Sequence, residues 1–247
     1  MLPSAMPIAI CATVARPIFF RQSLQPMLRF ENLRKRYDER VIFQGLRYSA
    51  DAGCVALNDE TGSGKSTLLA ILAGAIKPDQ GEVWIGGYSL RTAPVEAKSI
   101  LTYVPDDCMP YSLQTGREYL ELVASNRKTA IDSHTLDLAD RFDLTPHLEK
   151  RFEQMSFGTR KKIFLTAASV GDVRVVIADE PGAGLDAAAR SVLIDLFKTL
   201  GEDRTVFFST YDEALAQACN ARMIGFAELG ADVQAHAGRG PRASWQA

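Results

Sequence analysis

The sequence predicts an α/β fold built around a largely parallel sheet, and three patterns carry that expectation. From Leu28 onward, short β-type runs alternate with amphipathic helical runs, the order expected when strands are joined through helices. Val173–Ala178 is almost wholly apolar and β-branched, and Thr205–Ser209 is of the same buried type, which marks strands covered on both faces. Thr115-x-x-Glu118 is a capping-box signature that opens a helical run carrying Tyr119, Leu120, Leu122 and Val123.

The early strands are Leu28–Leu33, a short piece at Val41–Phe43, Leu46–Ala50 and Cys54–Leu57, the last following a turn at Asp51-Ala52-Gly53. Ser66–Ile76 places Leu68, Leu69, Ile71, Leu72 and Ile76 at helical spacing, with Pro78 as its stop. Glu82–Ile85 and Ile100–Val104 read as strands, the first closed by Gly86-Gly87 and the second by Pro105. The stretch from 115 to 170 is mainly helical, with helices near Ser133–Phe142 and Lys161–Val170. Asp186 can cap a helix bearing Val192, Leu193, Leu196, Phe197 and Leu200, and Thr210-x-x-Glu213 can cap a shorter one. Beyond Arg222–Phe226 the pattern decays.

Composition narrows the class. At 247 residues, 47% apolar and 23% charged, the chain matches an ordinary globular domain and excludes a disordered, collagen-like or disulfide-stapled one. The net charge of −2 supplies no general pull toward nucleic acid or anionic membrane. Arg160-Lys161-Lys162, three charges at a helix start, reads as a solvated face, so no nucleic-acid partner is expected. Cys11, Cys54, Cys108 and Cys219 stand singly and only His134, His147 and His236 accompany them, so no zinc or redox pair is expected, and the setting reads as reduced and cytoplasmic. No run reaches the 18 apolar residues a membrane helix needs. Residues 1–26 lack a basic leader and read as a loose extension or misassigned start, residues 27–230 as one domain, and 231–247 as a tail.

The chemistry concentrates in two places. Strand Cys54–Leu57 runs into Gly62-Ser63-Gly64-Lys65-Ser66-Thr67 and then a helix, the context of a phosphate-binding loop. Its amides and the helix N-terminus would cradle phosphates, Lys65 would reach the β- and γ-phosphates, and Ser66 would hold Mg²⁺. The full pattern wants glycine at position 59, where Asp59 stands beside Glu60 and adds negative charge unless it points away. Downstream, the strand Val175–Ala178 ends in Asp179-Glu180-Pro181, which suits Asp179 to the metal and Glu180 to polarising an attacking water.

With Met155-Ser156-Phe157-Gly158-Thr159-Arg160-Lys161-Lys162 upstream and Gly184-Leu185-Asp186 following, the chain resembles the ATP-binding subunit of an ABC transporter over about residues 27–226. The resemblance implies a P-loop core with a mixed or parallel sheet, an antiparallel β subdomain and a helical signature subdomain at about 107–165. It implies that Tyr37 stacks on adenine, and that Ser156 and Gly158 meet the γ-phosphate held by an opposite subunit. Asp186 then contacts its partner across a homodimer or heterodimer. Three motif positions depart from the family besides Asp59. Phe157 replaces the first signature glycine, Asp106 follows Pro105 where the family has a metal-reaching Gln, and Tyr211 stands where the family has a switch His. Asp106 can ligate Mg²⁺, and Tyr211 can donate to a γ-phosphate.

The implied activity is ATP binding and hydrolysis that powers a separate membrane-spanning subunit, on whose cytoplasmic face this chain would sit. The short spacing between the motifs and the Ser156–Lys162 string lean toward an exporter. The alternative raised by the departures is a nucleotide-sensing subunit with weak hydrolysis, paired with a complete ATPase.

Overall fold

The computed structural model describes residues 25–108 and 113–230, so the readings for 1–24, 109–112 and 231–247 fall outside the described residues. Among the described residues nine strands form two sheets. β1 (Leu28–Tyr37), β2 (Arg40–Ala50), β4 (Gln80–Ile85) and β5 (Tyr88–Ser89) make an antiparallel sheet in the order β2-β1-β4-β5. β3 (Gly53–Leu57), β6 (Leu101–Val104), β7 (Val175–Ala178), β8 (Thr205–Ser209) and β9 (Arg222–Ile224) make a wholly parallel sheet in the order β6-β7-β8-β3-β9. Every residue of β7 and β8 is buried, as their composition requires.

The side-chain alternation of these strands feeds two cores. Val175, Ile177, Phe207, Val55 and Leu57 face the antiparallel sheet and α1 (Lys65–Leu72). Val176, Ala178, Val206, Phe208 and Ala56 face α3 (Gly116–Asn126), α4 (Ser133–Arg141), α5 (Phe157–Thr166) and α6 (Ala187–Gly201). The parallel sheet is thus the middle of three layers.

Several boundaries differ from the sequence expectation for local reasons. The two early strand pieces are one strand, β2, which carries a register shift between Leu46 and Phe43, where Gly45 takes φ +76°. Helix α1 ends at Leu72 because left-handed Gly74 turns its N–H to the Ile71 carbonyl, well before Pro78. Helix α5 begins at Phe157, four residues earlier than expected, with Ser156 as its N-cap, and ends in a 3-10 turn at Ala167–Ser169. The cap of α7 (Glu213–Ala218) is Asp212, whose Oδ1 accepts from Leu215 N at 3.0 Å. The expected cap Thr210 is buried, and its hydroxyl accepts from Asp212 N instead. Sequence periodicity missed β5 and α2 (Pro94–Ser99), since α2 buries Ala97 alone.

A half-buried cation pins the helical layer to the sheet. Arg127, just past α3, donates to the carbonyls of Ala167 (2.9 Å), Val170 (2.7 Å) and Leu101 (2.8 Å) and to Thr102 Oγ1 (2.7 Å). Burial lowers its pKa to about 10, still far above neutrality. Replacing Arg127 by Met leaves these acceptors without their donor and is expected to cost about 3 kcal/mol, read as a lower urea midpoint.

Candidate active site

Parallel pairing brings the motif residues to one edge. Leu57 is in register with Ser209, Ala178 with Phe208, and Val104 with Ala178, so the segments after β3, β6, β7 and β8 all leave the C-terminal edge of the sheet. Those segments carry the phosphate loop, Pro105-Asp106, Asp179-Glu180 and Tyr211.

The loop from Asn58 to Gly64 leads straight into α1. Gly64 takes φ +102°, and a Cβ there would run into Ile42 of the neighbouring hairpin, so both backbone angle and space demand glycine. The Lys65 side chain is folded back over its own loop. Its ammonium donates to the carbonyls of Asp59 (2.5 Å) and Glu60 (3.1 Å) and lies 4.0 Å from the centre of the Tyr211 ring. Ser63 Oγ is buried with no hydrogen-bond partner. Ser66 is exposed at the start of α1 and Thr67 is half-buried.

The Asp59 carboxylate is held by two backbone amides. Its Oδ2 accepts from Phe226 N at 2.9 Å and its Oδ1 from Glu60 N at 2.8 Å, which ties the loop entry to the chain after β9. Its φ is not positive, so the missing glycine is not missed sterically.

At the tip of β7 the two acids have different surroundings. Asp179 is 3% exposed and its Oδ1 accepts from Ser209 Oγ at 2.6 Å. Glu180 takes φ +43°, an unusual angle for a residue with a side chain, and its N–H donates to the same Ser209 Oγ at 3.0 Å. Its Oε1 is buried and unpartnered. Desolvation, and then the charge of Asp179, raises the Glu180 pKa, while Lys65 and the Tyr211 amide pull it down. Lys65, Asp179 and Asp106 therefore all act on one carboxyl. Beside it lies a cleft of about 610 Å³ lined in part by Glu180, Arg190, Tyr211 and Asp212. Arg190 is ion-paired to Asp212, and the Tyr211 ring is half exposed.

The signature turn and the Asp186 turn meet within the chain. Ser156 Oγ accepts from Thr159 N (3.1 Å) and is exposed. A Cβ on Gly158 would strike the Gly184 carbonyl, and the Phe157 ring lies against Gly184 in turn. Asp186 caps α6 through Ala189 N (2.8 Å) and pairs with Lys162 (3.3 Å). Tyr37, at the end of β1, is 45% exposed with Lys35 Nζ 5.4 Å from its ring, so it is not a core tyrosine.

The basic triplet is not a solvated face. Lys161 is fully buried, and its ammonium reaches Asp106 Oδ1 (3.2 Å) and the carbonyls of Pro105 (3.3 Å), Asp106 (3.2 Å), Asp179 (3.3 Å) and Glu180 (3.2 Å). Arg160 donates to the Met155 carbonyl at 2.7 Å. The sequence reading missed Lys161 and gave Asp106 to the metal without this ion-pair partner. The available signal was its place three residues past Gly158 on the apolar side of α5, next to Phe164 and Leu165.

Comparison with known proteins agrees with this geometry. A family profile described as "ABC transporter" matches residues 48–183. The chain is 26% identical over 211 residues to the linearmycin resistance ATP-binding protein LnrL of Bacillus subtilis, covering 83% of this chain and 67% of LnrL. It is 28% identical over 221 residues to the phosphonates import ATP-binding protein PhnC of Wolinella succinogenes, covering 81% and 79%. Several curated relatives are much longer, and the chain spans as little as 3% of one of them. Among solved structures, a dimeric ATP-binding cassette bound to ADP and Pi in a post-hydrolysis state superposes with a TM-score of 0.70 at 21% identity, over 81% of this chain and 94% of that one.

Proposed function

The chain belongs to the ABC transporter family as an ATP-binding, ATPase-type domain, and from that premise we propose that it hydrolyses ATP to drive a separate membrane-spanning subunit in the export direction. One observation carries the hydrolysis: a desolvated Glu180 carboxyl with one buried, unpartnered oxygen, within the fields of Lys65 and Asp179, at the edge where the phosphate loop emerges. The orphaned Ser63 hydroxyl and the Gly62–Gly64 backbone suit a polyphosphate.

In this reading the amides of Gly62, Ser63, Gly64, Lys65, Ser66 and Thr67 bind the phosphates, and Lys65 leaves its own loop carbonyls to do so. Tyr37 stacks on the adenine. ATP supplies the transferable phosphoryl group, and Mg²⁺ supplies charge that neutralises it. Ser66 and Asp179 hold the metal, with Asp106, already paired to Lys161, as an outer carboxylate. Glu180 orients the attacking water and takes its proton. Tyr211, released from Lys65, donates to the γ-phosphate.

Two copies, or this chain and a related one, pair so that Ser156, Gly158 and Asp186 of each complete the other's site. Among the described residues no helix is long and apolar enough to cross a membrane, and the reading assigns transport to a second polypeptide, with this chain at the cytoplasmic face. Export is favoured by the short motif spacing and the Ser156–Lys162 string. Affinity purification from gently solubilised membranes is expected to recover one polytopic protein in stoichiometric amount. Recovery with ribosomes alone, or with no membrane protein, contradicts the transport reading.

A further inference from the structure

We propose that Lys161 is a positioning residue whose buried ammonium clamps the chain leaving β6 to the acid tip of β7 and so fixes the backbone that aims Glu180. Five oxygens from two separate segments converge on this group at 3.2–3.3 Å, more than its three N–H bonds can serve singly, so the bonds are shared. Four of the five are backbone carbonyls, of Pro105, Asp106, Asp179 and Glu180. The group therefore fixes the path of the chain and not merely a side chain.

The need for such a grip is visible at Glu180. Its φ of +43° persists only if the surroundings over-determine it. Ser209 holds its N–H, while Lys161, together with the Ala183 amide, holds its carbonyl. On the other segment, the Asp106 carboxylate neutralises the buried charge, and the Phe157 ring, 4.9 Å away, closes over it. An apolar side chain could fill the same space, but it would leave four carbonyls without this donor. The consequence for turnover rests on the ATPase reading; the clamp itself does not.

The test uses the full-length protein and the variants Lys161→Met and Lys161→Gln. In nucleotide-free hydrogen exchange, the amides of 106–108, 179, 180, 182 and 183 are expected to exchange about tenfold faster together in Lys161→Met, with α6 protected as in the parent and Lys161→Gln intermediate. Parental exchange in those two segments overturns the proposal. So does loss of protection spread evenly over the chain, which marks general destabilisation. In turnover, kcat is expected to fall about tenfold with KM for ATP within about threefold, and partial recovery in Lys161→Gln. An unchanged kcat in an active parent overturns the positioning role. A parent without turnover contradicts the ATPase reading instead, and the exchange result then decides the clamp alone. If Lys161→Met does not fold, Lys161→Gln carries the same comparison.

Discussion

A Glu180→Gln variant is expected to lose about 10²- to 10⁴-fold in ATP turnover while keeping its affinity for ATP, the range a positioned general base supplies. The carboxyl is desolvated, has a buried oxygen without a partner and sits beside Asp179, so its pKa lies above the ordinary carboxylate value. The amide keeps the shape and removes the base. Activity needs the ionised form, so the parent's rate should fall with decreasing pH through that raised pKa, and this acid limb should vanish in whatever residual rate the variant keeps. Stability should move the other way. A raised folded-state pKa means the folded protein favours the protonated form. Its stabilising share is complete below the unfolded pKa and is lost as pH rises through the folded one. At neutral pH the charged Glu180 is thus a cost, and Glu180→Gln should melt no lower than the parent. A variant that is slow and also less stable would point to damage, not to a missing base.

The parts of the fold visible in the sequence were those whose causes lie within a few residues. The Thr115/Glu118 capping box and the Asp186 cap are hydrogen bonds between residues three apart, and both occur. β7 and β8 were visible because burial on both faces leaves no polar position to confuse the pattern. Where two local candidates competed, the string could not choose. Thr210 and Asp212 both suit a cap, and the burial of Thr210 decided for Asp212. Gly74 and Pro78 both suit a stop, and the left-handed turn at Gly74 ends the helix.

The candidate site divides along the same line. The phosphate loop and the acid pair are contiguous motifs, and the parallel sheet delivers them to one edge as expected. The directions of side chains across long sequence separations were hidden. Asp59 turns one carboxylate oxygen to the Phe226 amide, 167 residues away. Lys161 was read as solvated because charge alone predicts exposure, while its partners, 55 or more residues upstream and 18 or more downstream, could not be paired from the string. Arg127 was missed for the same reason.

Lys65→Ala bears most directly on the claim that one phosphate-binding cradle underlies everything else. Lys65 is 5% exposed, and the present partners of its ammonium are two carbonyls of its own loop and one aromatic face, all of which an anionic ligand can outbid. Losing a charge-assisted bond to phosphate should weaken Mg-ATP binding by about 100-fold, near the upper end for such bonds. Equilibrium binding of Mg-ATP to the folded parent and to folded Lys65→Ala is the decisive measurement. Saturable binding by the parent with a roughly hundredfold loss in the variant is the expected result. No binding by the parent, or equal binding by both, would contradict the assignment of this loop to ATP.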